Sequence, residues 1–241
     1  MFDHVEIRVS DRAASERFYD LVLATLGRPR DATGDEFTEW AEFSVAQATA
    51  AQPPTRGLHL GFAAASRTHV DAFWRAGTEA GYRSDGEPGP RPEYRDDYYG
   101  AFLLDPDGNS AEAVHHGDLG GQNAVDHLWI RVADVAAATR FYEAVAPFGG
   151  FRLRDDEPGC DQFVGDGGSF TLVPGEPTQG AHIAFPSGDD ATVDAFHRAL
   201  VEAGYRDNGG PGERPQYHPG YYGAFVLDPD GNNVEVVNHN R

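Results

Sequence analysis

His4, His59 and Glu112 recur as His127, His182 and Glu235, each pair separated by 123 positions. Two histidines and one carboxylate form a donor set for a divalent first-row metal, and they leave coordination positions open for a substrate. A lone histidine on a strand is more often a hydrogen-bonded structural residue. Three ligand types duplicated at one spacing point instead to a metal site present twice. Taken repeat by repeat, the expected sets are His127, His182 and Glu235 in the second copy and His4, His59 and Glu112 in the first.

The repeat extends well beyond these residues. Residues 94–112 and 217–235 are identical at 13 of 19 positions, and Asp3-His4 matches Asp126-His127. A period this long marks a duplicated domain rather than a solenoid, whose repeats run to roughly 20–50 residues. The expected organisation is a first domain over 1–116, a Gly-rich linker over 117–123 and a second domain over 124–241.

The elements that must position the donors are legible in one repeat. His4 to Val9 alternates polar and apolar, which predicts a half-buried strand with His4, Glu6 and Arg8 on the face opposite Val5, Ile7 and Val9. Ser10 or Asp11 caps a helix to about Leu26. Short strands follow over Phe37 to Val45. His59 opens another strand, and Ser66 or Thr68 caps a helix ending before Gly81. Residues 84–92, rich in Gly and Pro, read as a loop, as does the equivalent stretch 207–212. Tyr99 to Leu104 is a strand, Asp105-Pro106-Asp107-Gly108 a tight turn, and Ser110 to His115 the closing strand, on which Glu112 alternates out of the core. If the strands form an open, trough-like sheet, the three donors can converge inside it.

Composition removes several classes of function. The net charge is −20 and all 19 basic residues are arginine. An acidic surface repels phosphate backbones, so nucleic acid is not an expected partner. Without lysine there is no Schiff-base or P-loop lysine. Cys160 is the single cysteine; it reads as a loop residue, and no intrachain disulfide is possible. A reducing cytoplasm is the expected compartment, with no signal peptide and no membrane-spanning run. No Gly-x-Ser-x-Gly supports serine hydrolysis.

The strand–helix–strand order, the strand histidines and the duplicated Asp-Pro-Asp-Gly-x-x-x-Glu resemble the vicinal oxygen chelate superfamily, which includes glyoxalase I, extradiol dioxygenases and bleomycin-resistance proteins. The resemblance covers nearly the whole chain. It implies an α+β fold of four βαβββ modules, arranged as two tandem paired-module domains with open curved mixed sheets and flanking helices. It also implies a small-molecule substrate held through two vicinal oxygens on a divalent metal. A dioxygenase with Fe(II) is the first reading. An isomerase or lyase of glyoxalase type with Mn(II), Ni(II) or Zn(II) is the second, and a metal-free drug-binding protein of the bleomycin-resistance type the third.

Glyoxalase-type members use a fourth carboxylate ligand. Glu42 could serve in the first repeat, whereas residues 167–172 offer none in the second. His218 matches the proton-shuttling histidine of the extradiol pattern, with Arg95 in its place in the first repeat. The tyrosine that contacts substrate in that pattern is Phe225 here, and Phe102 in the first repeat. Trp129, Arg131, Tyr221, Tyr222, Phe225 and Arg8 are the candidate substrate contacts; for the arginines a structural ion pair is the competing reading. His69, His197, His115, His116 and His239 read as surface or strand-end residues. Tandem fusion implies a monomeric pseudo-dimer or a homodimer.

Overall fold

The alternation at the N-terminus forms the expected strand, β1 (His4–Val9), with Val5, Ile7 and Val9 fully buried. Asp11 caps helix α1 (Arg12–Ala24) by accepting from the Ala14 amide, which satisfies one of the helix's unpaired N–H groups. Strands β2 (Ala32–Thr33), β3 (Phe37–Trp40), β4 (Phe43–Gln47) and β5 (Leu58–Ala63) follow. Helix α2 (Arg67–Glu79) starts after Ser66, whose hydroxyl faces His69 Nδ1 rather than capping the helix. Strands β6 (Ser84–Pro90), β7 (Tyr99–Leu104) and β8 (Ser110–His115) complete the first repeat.

The second repeat runs in the same order. It comprises β9 (Val125–Val132), α3 (Val135–Gly149), β10 (Phe151–Leu153), β11 (Gln162–Gly165), β12 (Gly168–Pro174), β13 (Ala181–Pro186), α4 (Asp190–Glu202), β14 (Arg206–Glu213), β15 (Tyr222–Leu227) and β16 (Asn233–Asn238). The computed structural model describes residues 1–117, 123–154 and 161–240. Most of the expected linker, and Cys160, lie outside the described residues.

The strands form two open mixed sheets of eight, ordered β14-β15-β16-β13-β1-β4-β3-β2 and β10-β11-β12-β9-β5-β8-β7-β6. With four helices among the described residues, this is the expected α+β class. Two compact units comprise Met1–Val5 with Ile130–Arg241, and Glu6–Trp129. The division between these units falls inside β1 and inside β9. His4 therefore belongs with the second repeat, and His127 with the first.

Two stretches read as loops are strands. Both β6 and β14 occupy sheet edges, pairing with β7 and β15 through irregular registers that skip at Ser84/Gly86, Gly86/Gly89, Asp207/Gly209 and Gly209/Gly212. Pro cannot donate to a ladder and Gly favours bulges. Both are tolerated at an edge, where one side of the strand needs no partner.

In the Glu6–Trp129 unit the core is built on Phe18, Tyr19, Trp40, Phe43 and Phe62, with Tyr19 and Phe43 centroids 4.6 Å apart. The Tyr19 hydroxyl donates to Asp105 at 3.0 Å. Asp105 also accepts from the amides of Asp107 and Asn109, so the Asp-Pro-Asp-Gly segment is turn chemistry tied into the core. In the other unit Tyr142, Phe163, Phe170 and Phe185 are the equivalent core, and Tyr142 donates to Asp228 at 3.2 Å. Among the described residues no helix is long and apolar enough to cross a membrane.

Candidate metal centres

The six donors gather into two trios, but not those expected from the repeat. His59, Glu112 and His127 form one, and His4, His182 and Glu235 the other, with the donor atoms of each within 4.8 Å of one another. Each trio lies inside one compact unit. The correction follows from strand order. Alternation aims His127 and His4 at the trough face, but β9 lies beside β5 and β1 beside β13. The Ala63 amide donates to the Ala124 carbonyl, and the Asp3 amide to the Ala184 carbonyl.

Within the Glu6–Trp129 unit, β5 and β8 run parallel with Gly61 opposite Glu112. That register puts His59 and Glu112 on one face. His59 Nε2 is 3.0 Å from Glu112 Oε2 and 3.2 Å from His127 Nε2, and His127 Nε2 is 3.3 Å from the same carboxylate oxygen. Cis ligands at metal distances of about 2.1 Å stand about 3 Å apart, so these atoms fit one divalent ion. In the second unit His182 Nε2 is 2.9 Å from Glu235 Oε2, while His4 Nε2 is 3.6 Å away.

Both glutamates are buried rather than turned out to solvent, Glu112 at 1% and Glu235 at 0% exposure. A buried carboxylate requires compensation. Tyr98 donates to Glu112 Oε1 at 2.8 Å, and Tyr221 to Glu235 Oε1 at 2.7 Å. Burial and the adjacent carboxylate push both phenols far above their usual range, so they remain donors. This leaves Oε2 of each glutamate facing the histidines. Gly100 and Gly223 make room for the carboxylates, since a Cβ on either would collide with the Oε1 atom.

The Asp that precedes His4 on β1 and His127 on β9 holds the imidazole ring. Asp126 Oδ2 accepts from His127 Nδ1, and Asp3 Oδ1 from His4 Nδ1, both at 2.8 Å. The remaining nitrogen then faces the glutamate, as outer hydrogen bonds orient metal-bound imidazoles. Burial pulls the His127 imidazolium down. Hydrogen bonds and charge from Asp126 and Glu112 outweigh this and push its pKa up to about 10. Burial raises Glu112 and Asp126, but their histidine partners hold both below the ordinary carboxylate range.

His218 is joined to the second trio by a hydrogen-bonded chain. Its Nε2 is 2.7 Å from His239 Nδ1, and His239 Nε2 is 2.8 Å from Asp3 Oδ2. Its counterpart Arg95 pairs with Asp97 instead. Phe225 lies beside His182, with ring centroids 6.0 Å apart, and Phe102 beside His59 at 5.9 Å. Trp129 lies 5.2 Å from the His59 ring.

Tyr222 is not brought to a trio: its hydroxyl donates to Asp194 on α4. Arg8 pairs with Glu6 at 3.1 Å, and Arg131 runs beside Gly175. Glu42 accepts from the Val125 amide and is not in a donor group. His116 and His239, read as solvated strand ends, face Asp126 and Asp3. Tyr98, Asp126 and Asp3 were absent from the expected site; their signal was their repetition beside the donors.

Fold and donors together define a duplicated α+β protein with two His-His-Glu groups that could hold a metal ion. The model of the Glyoxalase/Bleomycin resistance protein/Dioxygenase superfamily matches residues 1–113 and 124–236, and the chain belongs to that superfamily. Glyoxalase I from Zea mays is similar at a TM-score of 0.67 and 20% identity, over 99% of this chain and 92% of that one. A putative dioxygenase from Bacillus subtilis subsp. subtilis str. 168 is similar at 0.63 and 13% identity, over 100% and 85%. A glyoxalase/bleomycin resistance protein from Albidiferax ferrireducens T118 is 37% identical over 48% of this chain and 99% of its own, with a TM-score of 0.44. No curated protein matches.

Proposed function

We propose that the protein is a divalent-metal-dependent enzyme that takes a small substrate through two vicinal oxygens at a His-His-Glu centre, dioxygenase-like with Fe(II). The observation that carries this reading is the pair of trios. Each holds a buried glutamate whose Oε1 is satisfied by a tyrosine and whose Oε2 faces two imidazole nitrogens. A bound divalent ion would act there as Lewis acid and template, with positions open for substrate.

The chain's own residues supply the rest. Asp3 and Asp126 fix the histidine rings, and Tyr98 and Tyr221 fix the glutamates. His218, through His239 and Asp3, offers a route for a proton between solvent and the Nδ1 side of His4. Aromatic rings flank His59 and His182. Phe102 and Phe225 present no hydroxyl to a substrate, and this favours a second reading, an isomerase or lyase of glyoxalase type with Mn(II), Ni(II) or Zn(II). The single cysteine supports a reducing, cytoplasmic setting.

Metal per chain is the test. Wild type should hold about two ions and His127→Ala about one. His127→Ala with Glu112→Gln should still hold about one, because both changes fall in one trio. His127→Ala with Glu235→Gln should hold none. Iron with oxygen uptake would support the dioxygenase; another metal with no oxygen uptake would support the isomerase or lyase. A wild type that takes up no metal overturns both and favours metal-free drug binding.

A further inference from the structure

The two centres do not have the same walls. In the Glu6–Trp129 unit, Trp129 stands two residues after His127 on β9, on the same strand face. Its half-exposed indole lies 5.2 Å from the His59 ring. Tyr94, 47% exposed, meets the indole edge-on at 5.4 Å and Tyr98 at 5.2 Å. Phe102 also lies beside His59, with ring centroids 5.9 Å apart. These rings border a metal trio, and two of them reach solvent although aromatic side chains of this size are usually covered.

The 123-residue repeat puts Glu6 where Trp129 stands, on the same face of β1 as His4 by strand alternation. Glu6 pairs with Arg8 at 3.1 Å. Tyr217, the counterpart of Tyr94, meets Tyr221 at 4.9 Å.

Resting on the metal-site reading above, we propose that Trp129 makes the His59–Glu112–His127 centre selective for ligands whose two vicinal oxygens are carried by a planar, conjugated group, and that the His4–His182–Glu235 centre lacks this selectivity. A ligand reaching a metal at this centre through two oxygens would carry its carbon skeleton past the rings that border the trio. There an indole face stacks a planar group, a gain beyond simple burial. A carboxylate at the equivalent position provides no such face.

Two hydroxamates separate the chelating head from the skeleton. Acetohydroxamate and benzohydroxamate present the same pair of vicinal oxygens, and only the second carries a ring. The full chain is loaded with Co(II) as His4→Ala, which keeps the Trp129 centre, and as His59→Ala, which keeps the other. Both hydroxamates are titrated by calorimetry and by the cobalt visible spectrum, with cobalt content measured for each protein.

The expected result is a benzohydroxamate preference about three- to tenfold larger in His4→Ala than in His59→Ala. Trp129→Leu in the His4→Ala background should abolish that excess while cobalt content stays at one. Trp129→Phe, which keeps a ring, should retain part of it. Equal preferences in the two proteins, or a preference unchanged by Trp129→Leu with cobalt retained, overturns the role of Trp129 alone. Failure of every protein to bind cobalt overturns the metal-site reading itself, and this inference with it.

Discussion

Gly61→Ala should weaken metal binding at one centre and leave the other intact. Gly61 lies under the His127 ring: a Cβ there would stand 2.8 Å from Nε2 and closer still to Cε1 and Nδ1. Ordinary carbon contacts begin near 3.5 Å, so the ring must retreat by roughly 1 Å. It cannot do so freely, because Asp126 holds Nδ1 and Glu112 faces Nε2. Overpacking of this kind costs about 1–3 kcal/mol. The displaced imidazole should also lower metal affinity by about 10–100-fold, the range seen when ligand orientation is disturbed.

The repeat contains its own control. The position equivalent to Gly61 is Ala184, and there His4 stands 3.6 Å from its glutamate against 3.3 Å for His127. The assay is calorimetric titration with Zn(II) in a His4→Ala background, where only the Gly61 centre remains. An affinity within twofold of the parent, with the fold intact by circular dichroism, would refute the argument that Gly61 seats His127.

Tyr98→Phe should leave the buried Glu112 Oε1 without its donor and cost about 1–3 kcal/mol, read as a lowered Tm of the metal-free protein; Tyr221→Phe should do the same through Glu235. The metal-free protein should also lose stability as pH rises. The folded-state pKa of His127 is about 10, against about 6.5 unfolded. Its contribution is therefore complete below pH 6.5 and is lost as pH rises toward 10. Denaturant unfolding across that range should show the decline, and His127→Gln should flatten it. Metal binding must displace that proton, so near pH 7.5 the calorimetric enthalpy at this centre should vary with buffer ionisation enthalpy. Asp126→Asn should reduce that dependence by removing a partner that holds the proton.

The sequence determined which residues can act as donors. Their types, their duplication and their place on alternating strands were all legible, because alternation fixes which side chains share a strand face. It also located the Asp-Pro-Asp-Gly turns, whose chemistry is local, and both helix pairs. It could not show β6 and β14, because Pro and Gly oppose strand formation locally and only a sheet edge tolerates them. Nor could it show that Tyr98 satisfies Glu112, a contact that depends on the β7–β8 register.

The grouping of the donors was decided by tertiary structure alone. In a duplicated chain β1 and β9 carry nearly the same pattern, so local chemistry fits either of them beside β5 or beside β13. Strand order chose β9 for β5 and β1 for β13, and His4 and His127 thereby changed places relative to the repeat. A near-symmetric sequence encodes both pairings equally at the level of residues. The choice between them belongs to the whole packed chain.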